Sequence, residues 1–236
     1  MAKIVARNAK IISVGKDLSG QYNNSTLTLS SEAPEVTSYG DDSRQRLAAG
    51  IKDSELTIDG FFNNSASSTD AMFKELVAAS ALIAFFPQGY AASTPAYQMA
   101  GIITQYEAGF PLEDAATVSA TVSGCSCTRG KSLGYISAAA GSVLQATSVD
   151  FGATDDGTVY YQVHYLSMPT SISTCIHHST DDVTFTVAEV VELNTVTASG
   201  VANSGSFVGA NRYRKVRYAY VGGAGAVVVS ISGSSI

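Results

Sequence analysis

An alternation of apolar with Ser, Thr and other polar residues constrains this chain more than any other feature, because only an extended strand sends successive side chains to opposite faces. The pattern is clearest in two places. Thr26 to Leu29 reads TLTL, and further on Leu56 and Ile58 alternate with Thr57 and Asp59. The shared period predicts an antiparallel ladder between the two segments. The connection is far longer than the roughly 2–5 residues of an ordinary hairpin loop, and loops of that length are usually functional. It places Asp41, Asp42, Arg44 and Arg46 close together between Tyr39 and Ile51. Two carboxylates and two guanidinium groups in so short a space predict an arm that makes ion pairs with another copy of the protein.

Charged residues are only 14% of the chain, against about 25% in ordinary globular domains. Ser, Thr, Gly and Ala must therefore cover much of the surface, and the dominance of Val, Thr, Ser and Gly with few Glu, Lys or Leu favours strands and turns over helices. The net charge of -6 is spread over both halves: residues 1–130 hold 9 Lys+Arg against 13 Asp+Glu, and residues 131–236 hold 5 against 7. Neither half suits tight binding of a phosphate backbone. The start, MAKIVARNAKII, lacks the unbroken apolar core of a secretion signal, and no segment reaches the roughly 18 apolar residues of a membrane span. The expectation is a cytosolic product without membrane association. Three cysteines fit it: Cys125 and Cys127 are too close for an ordinary staple, and Cys175 reads as a buried free thiol in a strand.

In order along the chain, Lys3 to Val14 is expected as a first strand anchored by Ile11, Ile12 and Val14. A helix capped by Thr69 or Asp70 follows the Leu56–Phe62 strand, with Met72, Phe73, Leu76 and Val77 forming one apolar stripe. Residues 81–86 (ALIAFF) read as a strand buried on both faces. Two longer strands, Tyr97–Ala108 and Ala115–Ser123, come next; in the second, Val118, Ala120 and Val122 alternate with Thr and Ser, as in a sheet with one wet face. Residues 131–147 have the small-residue composition of a linker. The rest is again all strand, with Val159, Tyr161, Val163 and Tyr165 on one face, and short strands at regular spacing predict a β-sandwich.

Catalytic and cofactor motifs are sparse. His177 and His178 adjoin on a strand, so their imidazoles point to opposite faces, and a zinc site needs three or four convergent ligands. Ser179, His178 and Asp181 supply the types of a catalytic triad without a strained elbow for the nucleophile. The Gly222–Gly225 run reads as a hairpin turn joining the last two strands. In RYRKVRY the alternation splits Arg212 and Arg214 from Lys215 and Arg217, which favours a solvated strand over a nucleic-acid groove. The acidic pairs Asp155-Asp156 and Asp181-Asp182 read as turns rather than calcium sites. No enzyme, cofactor or metal follows from these residues.

Four phrases resemble the major tail protein of long-tailed bacteriophages, the subunit of the tail tube: KDLSGQYNNSTLTLSSE, VTSYGDDSRQRLAAGIKDSELTIDGFFN, TDAMFKELVAA and GIITQYEAGFPLEDAATVSATVSG. The second is the most specific, a Gly-Asp-x-x-Arg arm running into a strand with Leu56, Ile58 and Gly60. From about Val149 the chain also looks like the extra C-terminal domain that some of these proteins carry. The resemblance implies a mainly β fold: a tail-tube β-sandwich or barrel with one flanking helix over residues 1–130, a linker over 131–147, and a C-terminal β-sandwich over 148–236. It implies stacked, hexameric rings that form a conduit for DNA, with contacts to the tape measure protein and to the tail terminator and tip proteins, and a virion tail assembled in the host cytoplasm. Asp41, Asp42, Arg44 and Arg46 are then the inter-subunit contact residues. A different class of reading makes the C-terminal sandwich a carbohydrate or host-surface reader, with Tyr160, Tyr161, Tyr218 and Tyr220 as stacking platforms.

Overall fold

The computed structural model describes residues 8–40, 42–46, 52–63, 70, 73–74, 77–123, 127–138, 143–145, 147–151, 158–167, 171–179, 181–183, 190–196, 201–208, 213–221 and 225–232. Asp41, Cys125, Thr69, Met72, Leu76, the Asp155-Asp156 pair and Gly222–Ala224 lie outside them. The chain is mainly β, with antiparallel sheets, as the alternation predicts. The strands are β1 (Lys10–Ser13), β2 (Lys16–Asp17), β3 (Tyr22–Ser31), β4 (Lys52–Phe61), β5 (Ser80–Phe86), β6 (Pro95–Gly109), β7 (Thr117–Ser123) and β8 (Cys127–Ala138). They continue with β9 (Val143–Gln145), β10 (Val149–Asp150), β11 (Thr158–Ser167), β12 (Ser171–Ser179), β13 (Val190–Val196), β14 (Val201–Val208), β15 (Tyr213–Val221) and β16 (Gly225–Ser232). Contacts group the chain into two compact units, each built from separate stretches: 1–20, 82–99 and 128–236 in the first, 21–81 and 100–127 in the second.

The first unit holds strands in the order β14-β11-β16-β8-β6-β5-β1-β2, and a five-stranded sheet in which β10, β15, β12 and β13 follow one another and β9 pairs with β15. A hydroxyl pair joins the two: Tyr165 Oη on β11 lies 2.7 Å from Thr174 Oγ1 on β12, both side chains fully buried. β11 is buried on both sides, with Val159, Val163 and Tyr165 inward on one face and Gln162 and His164 on the other. Gln162 Nε2 donates to the Met99 carbonyl at 3.1 Å, and the Gly15 N–H donates to His164 Nδ1 at 3.4 Å. The N-terminal hairpin thus packs against a strand far away in sequence.

Three local expectations change. Residues 131–138, read as linker, belong to β8, because ladder pairing to β16 on one side and β6 on the other outweighs a composition of weak strand formers. β15 and β16 do not form a hairpin: β15 is taken by β12, β9 and β10, while β16 pairs with β11 and β8. Val14 is a turn residue and not a strand anchor. The register Ile12↔Asp17 and Ser13↔Lys16 leaves Val14 and Gly15 as a two-residue loop with φ of 46° and 69°, the geometry whose twist matches paired strands.

The second unit is organised around neighbouring strands β3-β4-β7-β6. The ladder expected between the TLTL and LTID segments forms, with Leu27↔Leu56 and Thr26↔Thr57 in register. Leu56, Ile58, Val118, Ala120, Val122 and Ile103 bury one face of this sheet. Asp70, Phe73 and Lys74 are helical, and Phe73 is fully buried, as the apolar stripe requires. Val77, the last of that stripe, is instead 45% exposed and bridges Ile103 in parallel. The helix stops short of it because Ala78 takes a φ of 64°, its N–H donates to the Ile103 carbonyl at 2.9 Å, and the Ile103 N–H donates back to Ala79. Gly60 closes the unit at a bulge in β3, where an added Cβ would overlap the Gln21 carbonyl and sit 3.0 Å from Tyr22 Cα.

Candidate functional site

The outer face of the second unit follows from register alone. Directly opposed residues share a face, so Asn24, Asp59, Ser119 and Glu107 form one row across β3, β4, β7 and β6, and Thr26, Thr57, Thr121 and Gln105 form the next. Thr28, Glu55 and Ser123 continue the series, and Ser30 pairs with Asp53. Side chains within the rows are tied to one another. Asn24 Nδ2 donates to Asp59 Oδ2 at 3.1 Å, Ser119 Oγ to Asp59 Oδ1 at 2.7 Å, and Gln105 Nε2 to Glu107 Oε1 at 2.6 Å. Thr104 Oγ1 and Ser123 Oγ lie 3.1 Å apart. The result is a surface of hydroxyls, amides and the four carboxylates Asp53, Glu55, Asp59 and Glu107, interrupted by the half-exposed Ile102 opposite Ser123, with no Lys or Arg in these rows.

Asp59 and Glu107 line a cleft of about 630 Å³ with Asn23, Thr117 and Ser119, but each carboxylate already accepts from an amide or hydroxyl, and they stand two strand spacings apart, about 10 Å. In these rows the face presents negative charge and no cationic group. The sequence pointed to Val118–Val122 as half-wet; it did not single out Glu55, Asp59 or Glu107. Their signal was available in the same alternation, since each lies at a polar position of a predicted strand.

Among the described residues β3 pairs only with β4, at the edge of this sheet, and its ten residues, YNNSTLTLSS, contain no charge and no proline. Natural edge strands are usually blunted by one or the other.

The arm between β3 and β4 folds back on itself. The Val36 N–H donates to the Gln45 carbonyl at 2.9 Å, the Gln45 N–H donates to Thr37 Oγ1 at 3.1 Å, and Thr37 Oγ1 donates to Glu35 Oε1 at 3.0 Å. An antiparallel bridge joins Glu35 to Arg46, and Arg44 Nε lies 3.9 Å from Glu35 Oε1. Both members of that ion pair are well exposed, so it contributes at most about 1 kcal/mol. Asp42, Arg44 and Arg46 are all exposed, and Tyr39 is completely so. The structure brings Arg44 and Arg46 together with Glu35; Asp41 lies outside the described residues. A second exposed apolar tip, which the sequence reading passed over, is the loop between β6 and β7. There Leu112 is 104% and Phe110 64% exposed, even though Phe110 packs edge-on against Phe62 at 5.0 Å. The phrase FPLED between two strand patterns was its signal.

The remaining candidates resolve into structural roles. Ser179 Oγ donates to Asp181 Oδ1 at 2.7 Å and accepts the Asp181 N–H, and Asp181 Oδ1 also accepts the Val183 N–H, a turn closed by its own side chains. His177 is buried, with Nε2 3.3 Å from Cys175 Sγ. Cys127 is a free, half-buried thiol whose pKa burial pushes up to about 11, which leaves it unreactive at neutral pH. Among the described residues no cluster of three or more His, Cys, Asp or Glu is placed to hold a metal. Of the four tyrosines, Tyr160 is 40% exposed and Tyr161 lies over Gly205 of the neighbouring strand. Tyr218 and Tyr220 sit on β15, in the other sheet.

No protein-family model and no curated protein matches this chain. Solved structures similar to it include a chain from the virion of a native gene transfer agent particle, 14% identical over 46% of this chain and 85% of that one, with a TM-score of 0.37. A chain from the tail of an empty gene transfer agent particle with C6 symmetry is 15% identical over 54% of this chain and 99% of that one, with a TM-score of 0.40. The Dit protein of phage SPP1, described as a hub of the adsorption apparatus in phages that infect Gram-positive hosts, is 11% identical over 95% of this chain and 98% of that one, with a TM-score of 0.39.

Proposed function

We propose that this chain is a structural subunit of a phage tail, and that copies close head to tail into stacked, hexameric rings forming the tube through which DNA passes. The observation that carries this reading is β3: a ten-residue, uncharged edge strand beside an acidic, hydroxyl-rich sheet face. A neighbour's strand completes the edge, and repetition around an axis turns the wet face into the wall of a channel. Carboxylates on that wall keep DNA from adhering in transit. The resemblance of the arm and strand phrases to the major tail protein supports the same assignment. In the virion such a tube meets the tape measure protein inside and terminator and tip proteins at its ends, after assembly in the host cytoplasm.

Negative-stain microscopy of the purified protein tests this. Stacked rings are expected; dispersed single particles at every concentration tried would overturn it.

A further inference from the structure

Two loops of the second unit carry a large apolar side chain wholly in water beside charges of opposite sign. On the arm, Tyr39 is fully exposed, and Arg44 and Arg46 are exposed with it. At the β6–β7 tip, Leu112 is fully exposed and Phe110 largely so, followed by exposed Glu113 and Asp114. Solvation this complete means that no described residue of the same chain covers either Tyr39 or Leu112. An isolated exposed apolar residue is ordinary. Here the tip offers carboxylates alone, and the arm sets the exposed guanidinium groups of Arg44 and Arg46 among its own Glu35 and Asp42, so the two arginines are what can complement the tip.

We propose that the arm of one copy docks on the β6–β7 tip of another, with Tyr39 packing on Phe110 and Leu112, and Arg44 and Arg46 facing Glu113 and Asp114. This rests on the assembly reading above and assigns the receptor for the arm. The arm's own geometry suits the role. The Glu35–Arg46 bridge and the Val36–Gln45 hydrogen bond hold it as a short hairpin, so it is ordered before it binds and less freedom is lost on docking. The contact joins different patches on the two copies, the head-to-tail kind that generates rings or filaments.

Charge exchange tests it. The variants R44E/R46E and E113R/D114R are each expected to raise the protein concentration needed for assembly by about tenfold or more, with folding of the free chain unchanged by circular dichroism. The quadruple variant R44E/R46E/E113R/D114R should restore assembly to that of the parent. If either double variant assembles like the parent, or the quadruple variant is as defective as the doubles, arm-to-tip docking is wrong while the ring reading stands. If the parent itself forms no rings, the assembly reading falls first and takes this one with it.

Discussion

Gly60 shows how one residue fixes a local geometry. Its missing Cβ lets the Gln21–Tyr22 backbone lie directly over β4, where the Phe61 N–H donates to the Gln21 carbonyl at 3.0 Å. Because the obstacle is backbone, Gly60→Ala cannot be relieved by a side-chain rotation and should cost about 3 kcal/mol in denaturant unfolding. Val14 works the other way. A β-branched residue at a φ of 46° is strained by roughly 1 kcal/mol, so Val14→Asn, a residue at ease in that conformation, should stabilise the fold by about 1 kcal/mol. His164 gives a pH signature. Burial lowers its pKa from 6.5 to about 3. Between those values the unfolded chain binds a proton that the folded one refuses, so the contribution is full above about 6.5 and is lost as pH falls, by up to about 1.4 kcal/mol per unit. Unfolding free energies measured from pH 7 to 4 should decline, and the decline should be shallower in His164→Gln.

At the scale of elements, the segment around residue 70 is held to β6 chiefly through Tyr106. Its hydroxyl donates to Asp70 Oδ1, and Lys74 Nζ lies 3.6 Å from the other carboxylate oxygen. Burial, and then the Asp70 carboxylate, push the Tyr106 pKa above its ordinary value, so the phenol stays a donor through the neutral and mildly alkaline range. Tyr106→Phe removes the hydroxyl donor from the buried Asp70, leaving Lys74 as its partner among the described residues, and should cost about 2 kcal/mol. The loss should fall first on the parallel contact at Val77–Ala79, and faster hydrogen exchange at the Ala78 amide, whose partner is the Ile103 carbonyl, would report it. Unchanged exchange there would mean that Phe73, buried by itself, is enough to dock the segment.

For the whole molecule the informative quantity is the charge of the wet face. Asp53, Glu55, Asp59 and Glu107 stand among threonines and serines, and the proposed channel depends on their repelling DNA. Assembled particles of a Thr57→Lys, Thr121→Lys variant should retain DNA at low salt and release it steeply as salt rises, since each bound phosphate contributes to the slope. The parent should retain none at any salt. Retention by the parent would remove the acidic wall from the explanation.

Much of this was legible without the fold. The alternation at Thr26–Leu29 and Leu56–Asp59 specified strands and their mutual pairing, and the inward Leu56 and Ile58, though Leu29 ends 57% exposed on the edge strand, because side-chain period and local chain direction are properties of the sequence within about ten residues. What tertiary structure alone decided was partnership between distant strands. β15 and β16 adjoin in sequence yet belong to different sheets, residues 131–138 became a strand because β6 and β16 flank them, and the hairpin at Val14–Gly15 found its support in His164 on β11. A strand's pattern is the same whichever neighbour completes it. The choice falls to the edges and faces that remain open once the rest of the chain has packed, and these are long-range facts that no short window of residues contains.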